Sequence, residues 1–161
     1  MPQVPFDELP PDAKLWIFPA ARPLNEDERR RVLAEADAFI NQWMAHGVPL
    51  TAGRDLRHDR FVLIGVNERA AGVSGCSVDK LVRSMDQLGR ELGVELVDNA
   101  PVQYRDGDTI KRVSRDQFAE LVAKGAVNLD TVVFDNTVTN VGDVDRWEVP
   151  AKAAWHARAF F

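Results

Sequence analysis

The order of its strand-like and helix-like segments predicts an α+β protein. Over residues 12–98 these segments follow the order strand, helix, strand, strand, helix, strand. This βαββαβ order is that of a ferredoxin-like sandwich, in which two helices cover one face of an antiparallel sheet. Over residues 99–161 the pattern changes to a hairpin, a short helix and a further strand, which predicts a small unit packed against the first.

The first strand is expected at residues 14–18 and the first helix directly after it. Asn25 suits the N-cap position and Glu28 completes a capping box. Apolar residues recur at helical spacing as far as Met44, and the following His46 and Gly47 are expected to end the helix.

Two strands joined by a polar turn are expected within residues 50–68. The second of them, residues 61–66, is apolar on both faces, and such strands are typical of the interior of a sheet. We therefore expect this strand to have a neighbour on each side.

A second helix is expected at residues 77–92 and a final strand of the sandwich at 94–97. The helical apolar period begins at Val78, so Ser77 is the expected N-cap, and Gly93 is the expected stop.

The last third of the chain carries short turn and cap signals. An Asp106-Gly107 pair predicts a hairpin turn, and Ser114 with Gln117 predicts a capping box. The aromatic residues at the C-terminus, Trp155 with Phe160 and Phe161, would form an exposed apolar surface that promotes association if they were left in water. We expect them to pack on the chain itself, or otherwise in a homodimer contact.

Composition excludes several classes of function. The chain has 161 residues and a net charge of −5, which argues against nucleic-acid binding through bulk charge. Its sequence shows no apolar run long enough to span a bilayer, and the N-terminus lacks the features of a signal peptide. A single cysteine excludes an internal disulfide. These observations predict a cytoplasmic protein without a membrane partner.

Cys76 is the first candidate for chemistry, because it directly precedes the second predicted helix. Free amides and the dipole at a helix N-terminus lower the pKa of a thiol, and His46 or His58 would serve as the base of such a nucleophile. The alternative is a structural cysteine that acts as a compact apolar residue.

Two other interpretations have weaker support. Cys76, His46, His58 and His156 together offer four zinc-competent donors, but none of them are closely spaced, so no metal or other cofactor is predicted. A basic patch at residues 54–60 would suit nucleic acid, but acidic residues interrupt it.

Four segments together carry a resemblance to a known family, namely residues 6–16, 43–47, 75–79 and 147–150. With them the whole chain resembles a family of short bacterial proteins of uncharacterised function that often carry the inherited label "ABC transporter ATPase". The resemblance implies no established activity. The label requires a phosphate-binding loop of the form GxxxxGK[ST], and the sequence has none.

A second similarity covers residues 102–134. The hairpin, the Ser-capped helix and the following strand look like the GYF-like modules appended to bacterial proteins. Relatives of that fold bind proline-rich peptides on an aromatic surface. The Gly-Tyr-Phe motif that binds the peptide is absent here.

The function expected from the sequence is that of a small cytoplasmic binding or interaction protein without catalytic activity. Its partner would be a protein or a small-molecule ligand. The alternative is a small enzyme that uses Cys76.

Overall fold

Helices and antiparallel sheets make up the chain, and the α+β class expected from the sequence is confirmed. The computed structural model describes residues 3–45, 48–68 and 75–161, with the backbone only at residues 44, 45, 48, 49, 75 and 76. The chain forms two units. One consists of the residues up to Val97 with Thr139–Gly142, and the other of Asp98–Val138 with Asp143–Phe161. Among the described residues, no helix is long and apolar enough to cross a membrane.

The first unit is a three-stranded antiparallel sheet with two long helices. In chain order it contains β1 (Lys14–Pro19), α1 (Glu26–Gln42), β2 (Met44–Ala45), β3 (Val48–Pro49), β4 (Thr51–Arg57), β5 (Phe61–Asn67) and α2 (Gly75–Leu92). The strand order is β1-β5-β4, so β5 lies in the middle, and Ile64 pairs with Trp16 on one side and Arg54 on the other. The prediction of an interior strand is confirmed.

The two faces of this sheet are covered by different parts of the chain. Apolar residues of α1 and α2, such as Val32 and Leu81, pack with Ile64 in one buried cluster. The other face receives the N-terminal segment and Thr139–Gly142. A Cβ added at Gly65 would lie 2.5 Å from Leu9 Cδ1 and 3.0 Å from Val141 Cγ2, so a side chain at this position would displace its neighbours.

The first helix begins as predicted and ends earlier. The capping box of Asn25 and Glu28 is present in full. The helix ends at Gln42, however, so the expectation that it continues through Met44 is wrong. The backbone of Trp43 is extended, and its carbonyl accepts a hydrogen bond from Leu50 N at 3.1 Å. Its ring is still buried, which is why the apolar period continues past the end of the helix. His46 and Gly47 lie outside the described residues.

The second helix begins earlier than its apolar pattern. It starts at Gly75, so Ser77 is its third residue, and the prediction that Ser77 is the N-cap is wrong. Apolar periodicity marks where a helix starts to pack, and the first turn requires no apolar residue. Gly93, with φ of 71°, follows the last helical residue as expected.

The strand expected at residues 94–97 does not form. Val94 and Leu96 are buried and Glu95 is exposed, which is the alternation that predicted a strand. The outer edge of β1 is instead used by another segment, where Leu15 N donates to Thr139 O at 2.9 Å. The segment expected to form this strand accepts a backbone hydrogen bond at Glu95 O from Ala21 N, at 2.8 Å. The sheet therefore has three strands, and the fourth strand that the ferredoxin-like order requires is absent from it.

The second unit is a four-stranded sheet with two short helices. It contains β6 (Val102–Asp106), β7 (Thr109–Val113), α3 (Arg115–Ala123), β8 (Val132–Phe134), β9 (Glu148–Pro150) and α4 (His156–Phe160), in the strand order β7-β6-β8-β9. The hairpin turn at Gly107 and the capping box of Ser114 and Gln117 are confirmed.

The C-terminal tail is ordered and packs on its own unit, as one version of the prediction required. The Phe160 ring contacts Phe118 edge to face, with a centroid distance of 5.0 Å. His156 is buried, whereas Phe161 stays 43% exposed. The aromatic end of the chain therefore contributes to the core of the second unit.

Candidate functional site

A groove between α1 and α2 forms a concave surface on the first unit, and we call it the helix groove. Its volume is about 460 Å³. It is lined by Glu35 of α1 and by Lys80, Arg83, Ser84, Gln87, Leu88 and Glu91 of α2. Both helices are fixed to the sheet by the buried cluster beneath them, so the groove has a rigid base.

The charged side chains of the helix groove fall into two sets. The carboxylates have partners, because Glu35 accepts a hydrogen bond from Ser84 Oγ at 2.7 Å and Glu91 pairs with Arg31 at 2.8 Å. In the described part of the chain, Lys80 and Arg83 pair with no carboxylate. Among the described residues, the groove thus offers two cations that form no ion pair with a carboxylate.

A smaller cavity of about 260 Å³ lies beside the groove, and we call it the aromatic cavity. It is lined by Phe39, Gln42, Trp43, Ser77 and Lys80. Phe39 and Trp43 meet edge to face at a centroid distance of 5.1 Å. Lys80 lines both volumes, so the aromatic cavity and the helix groove share a cationic side chain.

Trp43, one of the residues that line the aromatic cavity, also holds a buried donor. The residue is 3% exposed, and its indole nitrogen has no hydrogen-bond acceptor among the described residues. A buried donor without an acceptor costs about 1–3 kcal/mol.

The structure places Cys76 in the first turn of α2, directly before Ser77. Ser77 and Trp43 both line the aromatic cavity. The carbonyl of Trp43 accepts a hydrogen bond from the backbone N–H of Leu50, the residue directly before β4. His58 follows the other end of β4, after a strand of seven residues or about 20 Å. The structure thus brings Ser77 to the aromatic cavity but does not bring His58 to it. His46, the other proposed base, lies outside the described residues.

The predicted basic patch is engaged within the protein. Arg54 pairs with Asp37 at 2.9 Å and Arg57 with Asp55 at 3.0 Å. Arg60 is buried and donates to backbone carbonyl groups. The two ion pairs neutralise charge that would otherwise attract phosphates, and the burial of Arg60 keeps its charge away from the surface.

His156, the last of the potential zinc donors, is a core residue of the second unit. Its ring stacks on Trp155 with centroids 4.1 Å apart, and it meets Phe118 edge to face. Burial lowers the pKa of His156 to about 4, so the ring is uncharged at neutral pH. Across residues 3–45, 48–68 and 75–161, no group of three His, Cys, Asp or Glu side chains is placed to hold a metal ion.

Sequence reasoning missed Lys80 and Arg83. The signal available was the polar face of α2. Its members recur every three or four residues, at Lys80, Ser84, Gln87 and Glu91. A polar face is also what any solvent-exposed helix shows, and the sequence cannot reveal that Glu35 of α1 lies opposite.

Comparisons of the chain with protein-family models, with functionally characterised proteins and with solved structures find no match.

Proposed function

We propose that this protein is a small binding protein without catalytic activity and that it holds a small-molecule ligand in the helix groove. The observation that carries the proposal is the pair of cations, Lys80 and Arg83, that line this groove and have no carboxylate partner in the described part of the chain. Its volume of about 460 Å³ falls within the usual range of about 300–1,000 Å³ for ligand sites.

The test is a screen of isotope-labelled protein against a fragment library of mixed charge, read from amide chemical shifts. We expect the shifts caused by bound fragments to cluster on α2 between Lys80 and Glu91 and on α1 around Glu35. Fragments that bind only elsewhere, for example on the second unit, would refute the proposal.

A pair of matched variants sharpens this test. Ser84→Trp places a large ring inside the groove and is expected to abolish fragment binding. Arg90→Trp adds the same ring on the same helix at a residue that does not line the groove, and binding should persist. Equal effects of the two variants would argue against the site.

We also propose that the protein acts in the cytoplasm and belongs with the bacterial proteins it resembles. A single cysteine suits a reducing compartment, where disulfides are rare. The three paired strands of the first unit support a ferredoxin-like origin for its sheet.

The second candidate function is a cysteine-dependent enzyme. It is favoured by one observation, which is that Cys76 lies in the first turn of α2 beside Ser77, a residue of the aromatic cavity. The rate of alkylation by iodoacetamide, measured against pH, separates the two functions. A binding protein should show an alkylation rate that rises with pH as for a thiol with an ordinary pKa of about 8.5. A rate that is already maximal below neutral pH would favour the enzyme. Cys76→Ser supplies the background, because the chain has no other cysteine.

A further inference from the structure

We infer that the ligand is a small compound with one anionic group and a planar apolar body. Its anionic group, a carboxylate or a phosphate ester, would bind between Lys80 and Arg83, and its ring would enter the aromatic cavity. The inference rests on the proposed function and names the chemical class that the helix groove selects.

The cations determine where the anionic group binds. Lys80 and Arg83 are three residues apart on α2, so their side chains lie on neighbouring positions of one helix face. Neither pairs with a carboxylate in the part of the chain that the structure describes. A ligand anion would therefore complete this pair of charges without displacing an existing ion pair.

The aromatic cavity determines the body of the ligand. Phe39 and Trp43 form an aromatic wall, and the volume of about 260 Å³ suits a single ring system better than a peptide chain. Because Lys80 lines both volumes, one ligand reaches the ring site and the anion site together.

The acidic side chains of the helix groove limit the ligand to one anionic group. Glu35 and Glu91 line the same groove and are held by Ser84 and Arg31. A second anionic group further along the groove would meet these carboxylates. Compounds with an acid at each end should therefore bind more weakly than compounds with one.

The experiment uses three probes that share a ring and differ in charge: indole-3-acetate, indole-3-acetamide and tryptamine. Each is titrated into the full-length protein and followed by amide chemical shifts. We expect the acetate to bind about tenfold more tightly than the amide and tryptamine to bind least, since two exposed charge pairs each contribute about threefold. Benzoate compared with phenyl phosphate then shows whether the site prefers a carboxylate or a phosphate.

Variants assign the effect to the two cations. Lys80→Gln and Arg83→Gln should each weaken acetate binding about threefold and leave amide binding unchanged. Arg90→Gln removes the same charge from the same helix outside the groove and should leave both unchanged.

Different outcomes refute the anionic class of the ligand and the proposed binding function. If acetate and amide bind equally well in the groove, the anionic class is wrong and the binding function stands. If neither Gln variant weakens acetate binding, the anion site is not formed by Lys80 and Arg83, and the inference fails while the binding function stands. If the fragment screen finds groove ligands but none of the indole probes binds, the inference again fails alone. If nothing binds in the groove, both fail.

Discussion

At the scale of single residues, two buried titratable groups couple the stability of the fold to pH. Glu28 is paired with Arg22 at 2.8 Å and accepts a bond from Asn25 N at 2.9 Å. The Arg22 hydrogen bond, with that from the Asn25 backbone, lowers the pKa of Glu28 to about 2. His156 has the opposite origin, because burial among aromatic rings disfavours its charged form.

We predict that Glu28→Gln reduces stability at neutral pH and has a smaller effect in acid. A carboxyl whose pKa is depressed in the folded state contributes stability above its unfolded value of about 4.5, and this contribution is lost as the pH falls toward 2. Urea unfolding at several pH values between these limits measures it. Glu26→Gln, an exposed acid in the same turn, is the control, and parallel curves for the wild type and Glu28→Gln would contradict the prediction.

We predict that the second unit loses stability as the pH falls from about 6.5 through 4 and that His156→Phe removes this dependence. The pKa of His156 is lowered by burial and further by Arg115, while Asp135 opposes the change. The neutral ring therefore contributes stability that is complete above the unfolded pKa and is lost on protonation. Tryptophan fluorescence against pH reports the loss. His58→Asn, in the exposed β4–β5 turn, should keep the wild-type profile.

At the scale of elements, β5 holds the first unit together, because it pairs on both edges and is packed on both faces. Every residue of β5 from Phe61 to Val66 is buried. Ile64 contributes to the cluster under α1 and α2, so a loss there acts on the helices as well as on the sheet.

We predict that Ile64→Ala costs about 2–5 kcal/mol of unfolding free energy through lost burial and a cavity. Chemical denaturation measures this loss. The control is Leu129→Ala, whose side chain is 42% exposed and whose change should be close to neutral. A cost below about 1 kcal/mol at Ile64 would show that the neighbouring helices collapse into the space.

At the scale of the whole molecule, the C-terminal tail decides how the last third of the chain completes its core. Phe118 is fully buried and is surrounded by aromatic rings from the tail, including His156 and Phe160. Arg115 adds a cation over the Trp155 ring at 4.9 Å. Without the tail, Phe118 would face solvent on that side.

We predict that deletion of residues 155–161 lowers the melting temperature and exposes surface that binds an apolar dye. Differential scanning fluorimetry and dye fluorescence on the truncated chain test this, with Phe161→Ser as a milder control, because Phe161 is 43% exposed. A truncated chain that melts like the full-length protein but loses self-association would instead identify the tail as a dimer contact.

The sequence by itself determined the structural features that form through interactions among residues close together in the chain. The capping boxes at Asn25 and Ser114, the turn at Gly107 and the buried strand β5 were all predicted and observed. Each depends on hydrogen bonds over three or four positions, or on the burial of one short run, so neighbouring residues suffice to specify it.

The features that only the tertiary structure decided depend on segments far apart in the chain. Buried and exposed residues alternate over residues 94–97 as in a strand, yet the edge of β1 is occupied by Thr139. Thr139 follows β1 by more than a hundred residues. The helix groove likewise exists because Glu35 of α1 lies opposite Lys80 and Arg83 of α2. A periodic pattern states which side of an element is apolar, but the partner that covers an edge or faces a helix is chosen by competition among all segments of the folded chain.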